Sequence, residues 1–197
     1  MQRRNELKEL VAITVLSVAV AVGLNCLLLF INLAKYSERY QEAAALLFAP
    51  PFWEQILYYG ILIPIVEELI FRGVLFRILR KWIAFPWCAI LSAVAFGIYH
   101  GNLVQLVYAG LCGILLAYLY EKYHSIIAPI WSHVAMNIFA ILLTQTGGFA
   151  WIMESNQKAL ITIAGCGVVC GITLCKIQEM DVTKVLNIYC KKGANDI

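Results

Sequence analysis

The chain has 197 residues, of which 62% are hydrophobic and only 14% are charged, and its formal net charge is +3. These values lie outside the usual range of soluble domains and favour a protein embedded in a bilayer. Because one helical span of the hydrocarbon core needs about 20 mainly apolar residues, this length accommodates about six spans and leaves no room for a soluble catalytic domain. The modest charge is spread over short loops, which argues against nucleic acid as a partner.

The apolar segments predict an all-α membrane protein with about six transmembrane helices. In chain order, the predicted spans cover approximately residues 10–34, 53–71, 82–100, 103–120, 125–144 and 159–175. Residues 176–197 are expected to form a cytoplasmic tail with a short amphipathic segment at 182–189. We interpret residues 1–197 as a single membrane-embedded domain whose chemical motifs lie within about 53–140.

The distribution of Lys and Arg predicts how these spans are oriented. If the N-terminus is cytoplasmic, eleven basic residues face the cytoplasm, three face the outside, and Arg72 remains within a span. Cytoplasmic loops carry an excess of Lys and Arg, so both termini are expected in the cytoplasm. The eleven are Arg3, Arg4, Lys8, Arg77, Arg80, Lys81, Lys122, Lys176, Lys184, Lys191 and Lys192, and the three are Lys35, Arg39 and Lys158.

Three of the apolar segments carry polar residues spaced four positions apart. An ionisable group inside a membrane is costly and is therefore a candidate functional residue. A single membrane histidine is more often an interhelical hydrogen-bond partner than a catalyst, so the combination matters more than any one residue. The three patterns are Glu67-Glu68-x-x-x-Arg72, Phe96-x-x-x-His100 and His133-x-x-x-Asn137.

Helix geometry gives the two adjacent carboxylates different roles. Residues four apart share a helix face, so Glu68 and Arg72 are expected to form an ion pair in the favoured order, with Glu first. Adjacent residues point about 100° apart, which leaves Glu67 facing elsewhere without a cation. Glu67 is therefore the candidate general base, and the Glu68–Arg72 pair is interpreted as structural.

The lengths of the spans indicate that these groups can meet at one depth. Counted from the cytoplasmic ends of their helices at about 1.5 Å per residue, Glu67 and His100 lie roughly 20 Å deep and His133 about 14 Å deep. Tilt of the helices makes these depths compatible. The same count does not decide which membrane surface the site faces.

Together, these motifs resemble those of the CAAX prenyl protease and bacteriocin-processing family of intramembrane endopeptidases, also called CPBP or Abi. The resemblance covers about residues 53–137, including the segments 67–73, 92–100 and 128–137 and a glycine-bearing fourth span. One such spacing alone is weakly specific, but three on separate apolar helices are strongly specific. The first span and the region after about residue 147 add nothing to the resemblance.

The resemblance implies hydrolysis of a peptide bond by water inside the membrane. Carried over by position, Glu67 and His100 activate the water, and His133 and Asn137 bind the developing oxyanion. Phe96 shapes the cavity, while Arg72 keeps Glu68 charged. The implied substrate is a peptide or a membrane-presented protein tail in a bacterial cytoplasmic membrane, cleaved in peptide maturation or in self-immunity against a bacteriocin.

A metal ion is a separate expectation. Glu67, His100 and His133 form a His₂Glu set like that of catalytic zinc sites, with a fourth position open for water. The chain has no H-E-x-x-H motif, and the same residues also suit a glutamate base that acts without metal. Both the divalent-metal mechanism, with zinc, and the metal-free mechanism therefore remain open.

Two other functional classes compete with an endopeptidase. A non-catalytic membrane scaffold or immunity protein of the same family would be favoured by degenerate motifs, whereas all the motif residues are present here. A small transporter or proton relay would also place Glu and His inside the membrane. The absence of a visible internal repeat argues against a transporter.

Overall fold

A computed structural model describes the backbone of residues 2–179 and, apart from residue 34, the side-chain surroundings of residues 7–179. Within this range every regular element is a helix. The predicted amphipathic segment at 182–189 lies outside the described residues. The helices are α1 (Gln2–Phe30), α2 (Glu38–Phe48), α3 (52–79), α4 (Phe85–Tyr99), α5 (Leu103–Tyr123), α6 (Ile127–Gln145), α7 (Gly148–Met153) and α8 (Asn156–Glu179), with a 3₁₀ turn at Leu33–Tyr36.

The all-α membrane architecture is confirmed, whereas the count of six spans is not. Among the described residues, four helices are long and apolar enough to cross a bilayer, over Leu7–Phe30, Leu103–Tyr123, Ile127–Gln145 and Asn156–Glu179. Helix α4 is apolar but has only 15 residues, so at about 1.5 Å per residue it is shorter than a hydrocarbon core of about 30 Å.

Several predicted boundaries differ from the structure, and helix α3 continues to residue 79 rather than ending near residue 71. Helix α1 ends at Phe30 rather than near residue 34, because Asn32 adopts a left-handed conformation with φ of 55°. The following segment forms α2, whose N-terminus is capped by the Ser37 hydroxyl accepting a hydrogen bond from the Tyr40 N–H. Helix α8 continues to Glu179, so Lys176 is helical and does not begin a tail.

Helix α3 changes its helical period along its length. The segments Gln55–Leu62 and Leu69–Phe76 are π-helical, and the segment Ile63–Glu68 between them is α-helical. A π turn holds more residues than an α turn, and such turns are rare in proteins and frequent at functional sites. In the two π-helical segments, the rotation from one side chain of α3 to the next therefore differs from the 100° of an α-helix.

The core lies where α1, α3, α4, α5 and α6 meet. One buried cluster joins Phe71, Phe96, Leu116 and Met136 from four of these helices to Ala21 of α1. Helix α8 packs along α1 at the perimeter and is the least buried of the four long spans. A cleft of about 790 Å³ is lined by apolar residues of α1, α4, α5 and α8 and contains none of the motif residues.

Candidate active site

The structure brings Glu67, His100 and His133 together from three helices. The Glu67 Oε1 atom lies 3.9 Å from His100 Nε2, and Glu67 Oε2 lies 3.7 Å from His133 Nε2. The Glu67 and His133 side chains are each 9% exposed and that of His100 is 18% exposed. The three groups thus form a nearly enclosed cluster within apolar helices.

The hydrogen bond of each ring determines which nitrogen faces Glu67. His100 Nδ1 lies 2.9 Å from the Phe96 carbonyl oxygen. A carbonyl only accepts, so Nδ1 carries the proton, and Nε2 of the neutral ring presents a lone pair to Glu67. His100 closes the C-terminal end of α4, and its ring points back along the helix towards Phe96.

His133 is held by the second carboxylate. Its Nδ1 lies 3.0 Å from Glu68 Oε1, and the same oxygen accepts a hydrogen bond of 2.7 Å from Arg72. The predicted Glu68–Arg72 ion pair is therefore present, and Glu68 also orients His133. Because Glu68 is charge-paired, Nδ1 of His133 is the donor and Nε2 faces Glu67.

Arg72 connects this pair to a further helix. It is fully buried, and its second terminal nitrogen donates to the Gly113 carbonyl of α5 at 2.9 Å. The guanidinium carbon lies 4.8 Å from the centre of the Phe96 ring. These contacts offset part of the cost of burying the charge and anchor α3 against α4 and α5. Within the described part of the chain, the Arg72 Nε and Glu68 Oε2 atoms are buried without a hydrogen-bond partner.

Phe96 packs between the cationic side chain and the imidazoles. Its ring meets His100 and His133 edge to face, with centroid distances of 5.0 Å and 5.7 Å. The ring is 1% exposed. Phe96 therefore forms an apolar wall of the cluster, in the place that the sequence motif predicts.

Asn137 lies one helical turn beyond His133 on α6 but contacts a different part of α3. Its Nδ2 atom donates to the Tyr59 carbonyl oxygen at 2.9 Å. One amide hydrogen is thus used in a contact that joins α6 to α3. The second amide hydrogen and the amide oxygen are not part of this bond.

Sequence reasoning did not find the residues that hold these helices in register. The Ser17 hydroxyl of α1 lies 2.6 Å from the Ser132 hydroxyl, next to His133, and both residues are fully buried. Asn102 caps α5 by accepting from the Gln105 N–H, and its amide donates to the His100 carbonyl at 3.2 Å. Serine and asparagine within or between apolar helices were the available signals.

The distances among Glu67, His100 and His133 are longer than those among the ligands of one tetrahedral metal ion. Ligand atoms of one tetrahedral zinc lie roughly 3.4 Å apart, given bonds of about 2.1 Å, whereas Glu67 and the two imidazoles approach to 3.7 Å and 3.9 Å. Over the described residues, no group of three or more His, Cys, Asp and Glu side chains is arranged to hold a metal ion. The three groups are thus more widely spaced than the ligands of one bound metal ion, a divalent metal remains an expectation from the sequence, and the chemistry below contains no metal step.

The arrangement suits a molecule that donates hydrogen bonds. Distances of 3.7 Å and 3.9 Å are too long for direct hydrogen bonds between Glu67 and the rings. Polar groups at such separations are commonly bridged by water. A carboxylate and an imidazole lone pair on either side of one water can accept its two hydrogen bonds. Proton transfer to one of these acceptors, the carboxylate, is what general-base activation requires.

Comparisons with known proteins agree with these motifs. A family model described as type II CAAX prenyl endopeptidase Rce1-like matches residues 45–139. The protein named "Putative membrane peptidase YdiL" of Bacillus subtilis (strain 168) is 32% identical over 134 residues, covering 68% of this chain and 54% of that protein. The match thus spans about half the length of this curated relative. No solved structure matches the chain.

The matched segment contains the whole candidate site. Residues 45–139 include all three polar motifs, on α3, α4 and α6. Helices α1, α7 and α8, most of α2 and the last residues of α6 lie outside the match, and α1 and α7 pack against α6. On the motifs, the geometry and these two matches, the chain belongs to the CAAX prenyl endopeptidase family.

Proposed function

We propose that this protein is an intramembrane endopeptidase that hydrolyses a peptide bond in a peptide or in a membrane-presented protein tail. One observation carries the proposal: two histidine Nε2 atoms lie within 4 Å of a carboxylate in an apolar helix bundle. The remaining motif residues orient these groups. A scaffold or immunity protein has no need for both imidazoles to be fixed by hydrogen bonds at Nδ1.

In the proposed reaction, a water molecule bound between Glu67 and His100 gives a proton to Glu67 as its oxygen attacks the peptide carbonyl carbon. The other hydrogen of the water is held by the Nε2 lone pair of His100. Glu67 then passes its proton to the leaving nitrogen as the C–N bond breaks. General-base catalysis of this kind contributes roughly 10²–10⁴-fold in rate.

His133 is proposed to bind the oxyanion of the tetrahedral intermediate. Because its Nδ1–H is directed at Glu68, donation from Nε2 requires the doubly protonated ring. The positive ring then faces a negative charge that develops only in the transition state, which is the interaction that accelerates a reaction. Asn137 would assist with its second amide hydrogen, as the family resemblance implies.

The physiological substrate is proposed from the family alone. A bacterial cytoplasmic-membrane protein of this kind would mature or degrade a peptide, or protect its cell against a bacteriocin. Zinc bound by Glu67, His100 and His133 stays a prediction from the sequence, and it requires the three groups to move closer than they lie here.

Cleavage by the purified protein tests the function. A membrane-presented peptide library in detergent is incubated with the wild type, Glu67→Ala and Glu68→Ala, each with and without a chelator. We expect cleavage by the wild type and a loss of at least about 100-fold in Glu67→Ala. Loss of cleavage on chelation would establish the metal mechanism, and resistance would establish the metal-free one.

The same experiment has outcomes that contradict the proposal. A wild type that cuts nothing, or a Glu67→Ala variant that cuts equally well, would favour the non-catalytic scaffold or immunity protein. Uptake of solutes or protons into sealed vesicles containing the protein, without cleavage, would instead favour the transporter.

A further inference from the structure

Pro64 lies inside α3, three residues before Glu67, and is buried. Proline has no backbone N–H and its ring collides with the carbonyl four residues earlier, so a proline within a helix leaves a carbonyl without its usual partner. In a bilayer such a carbonyl must find another donor, because no water is available from the hydrocarbon. The position of that carbonyl depends on the local helical period.

The turn before Pro64 is π-helical, which identifies the carbonyl that loses its donor. The Ile63 N–H bonds to the Tyr58 carbonyl, five residues earlier. In the same register the donor of residue 64 would bond to the Tyr59 carbonyl. Since residue 64 is proline, the Tyr59 carbonyl receives no backbone hydrogen bond in this register.

The side chain of Asn137 supplies a donor at this carbonyl. Its Nδ2 atom lies 2.9 Å from the Tyr59 oxygen. Helix α6 also approaches the same turn closely at Gly60, where an added Cβ would lie 3.1 Å from the Ile138 side chain. The contact therefore joins the His133 helix to the wide turn that precedes Glu67.

We propose that the Asn137 amide takes the place of the backbone N–H that Pro64 lacks, and thereby sets the position of Glu67 relative to His133. Asn137 is in this respect a positioning residue that acts through α3. The catalytic part of this inference rests on the proposed endopeptidase function. Replacement of the missing N–H by the Asn137 amide does not depend on that function, because it rests on the hydrogen bond to the Tyr59 carbonyl oxygen.

A double substitution tests the replacement. Asn137→Leu keeps the side-chain size and removes the donor, while Pro64→Ala restores a backbone N–H at the position that lacks one. We expect Asn137→Leu to lower the melting temperature in detergent and to lower kcat. Adding Pro64→Ala should raise the melting temperature again, because one hydrogen bond is regained. It should also increase kcat about tenfold over Asn137→Leu at similar KM, because misplacing a reacting group by about 1 Å can cost up to about 100-fold.

Pro129→Ala provides the matched control. Pro129 is buried in the first turn of α6, where backbone N–H groups have no intrahelical acceptor, so alanine there restores no missing bond. Combined with Asn137→Leu, it should recover neither the melting temperature nor kcat. Recovery with Pro129→Ala equal to that with Pro64→Ala would overturn the proposal.

The remaining outcomes are also decisive. If Pro64→Ala restores neither folding nor activity to Asn137→Leu, the amide does not replace the missing N–H. Asn137→Leu and the double variant both lack the oxyanion donor, so the comparison of these two isolates the positioning effect. Recovery of the melting temperature with no increase in kcat over Asn137→Leu alone would limit the contact to packing and overturn the positioning role. A wild type without peptidase activity would contradict the proposed function, whereas the melting temperatures would still decide whether Asn137 completes the Pro64 turn.

Discussion

At the scale of single residues, the site depends on two adjacent glutamates in different surroundings. Glu67 faces two imidazole nitrogens at 3.7 Å and 3.9 Å. Glu68 is fully buried and contacts both Arg72 and His133 through one oxygen. The first carboxylate is placed for proton transfer, and the second is placed to neutralise a cation and to fix a ring.

This difference predicts that Glu67→Gln mainly lowers activity and that Glu68→Gln mainly lowers stability. Glu67→Gln removes the base, so activity should fall by roughly 10²–10⁴-fold with little change in stability. Glu68→Gln leaves the buried Arg72 charge without a counter-ion and should lower the free energy of unfolding by about 3–5 kcal/mol. Activity assays and thermal unfolding in the same detergent measure both effects. Equal losses of stability would contradict the assigned roles.

At the scale of helices, α3, α4 and α5 pack closely at Gly113. A Cβ there would lie 3.1 Å from two atoms of Ala93 and 3.2 Å from the Arg72 terminal nitrogen. The glycine carbonyl also accepts the Arg72 hydrogen bond. The absence of a side chain thus lets the α5 backbone reach a buried charge.

Gly113→Ala is therefore expected to destabilise the protein by about 1–3 kcal/mol, as overpacking does, and to lower activity through Arg72 and Glu68. Gly110→Ala is the matched control on the same helix, because its nearest atom would be the Ala93 carbonyl oxygen at 3.8 Å. Replacing glycine by alanine raises the helix propensity equally at both positions, so this effect cancels in the comparison. Thermal unfolding of the two variants should separate them, and similar melting temperatures would refute the packing argument.

Helix α1 supports the site from outside the matched segment. The Ser17 hydroxyl donates to the Ile13 carbonyl at 2.6 Å, so its contact with Ser132 uses the Ser132 hydroxyl as donor. Helix α1 is thereby tied to the residue that precedes His133.

Ser17→Ala should lower stability by about 0.6–1.7 kcal/mol, the range of hydrogen bonds between membrane helices, and reduce cleavage several-fold. Thr14→Ala is the comparison, since the Thr14 contact with Trp131 lies at an exposed position. Stability is measured by thermal unfolding and activity by peptide cleavage. A larger effect of Thr14→Ala than of Ser17→Ala would argue against a role of α1 in holding His133.

At the scale of the whole molecule, orientation follows from charge rather than from packing. Lys81 and Glu154 are exposed in two different connections, after α3 and between α7 and α8. The excess of basic residues predicts that Lys81 faces the cytoplasm and Glu154 the outside.

Single cysteines at these two positions, in a chain whose native cysteines are replaced by alanine, test the orientation. A membrane-impermeant maleimide added to intact cells should label Glu154→Cys and leave Lys81→Cys unlabelled until the cells are opened. The cysteine-free chain controls for background labelling. The reverse pattern would place both termini on the outer side.

The sequence alone determined the features that depend on neighbours along the chain. Apolar composition establishes the membrane class, and i,i+4 spacing establishes the Glu68–Arg72 pair, because both follow from the geometry of one helix. The motifs also identified the residues that meet in the cluster. The number of spans was less determined, since α4 is short and α3 changes its period.

Only the tertiary structure decided how the helices rotate and tilt against one another. Glu67 and Glu68 were expected to face apart, yet both approach His133, because the two nitrogens of one imidazole lie on different sides of the ring. The Asn137 contact with Tyr59 depends on a π turn and a proline in another helix. Such contacts arise from helix register across the core, which periodicity within a single segment does not contain.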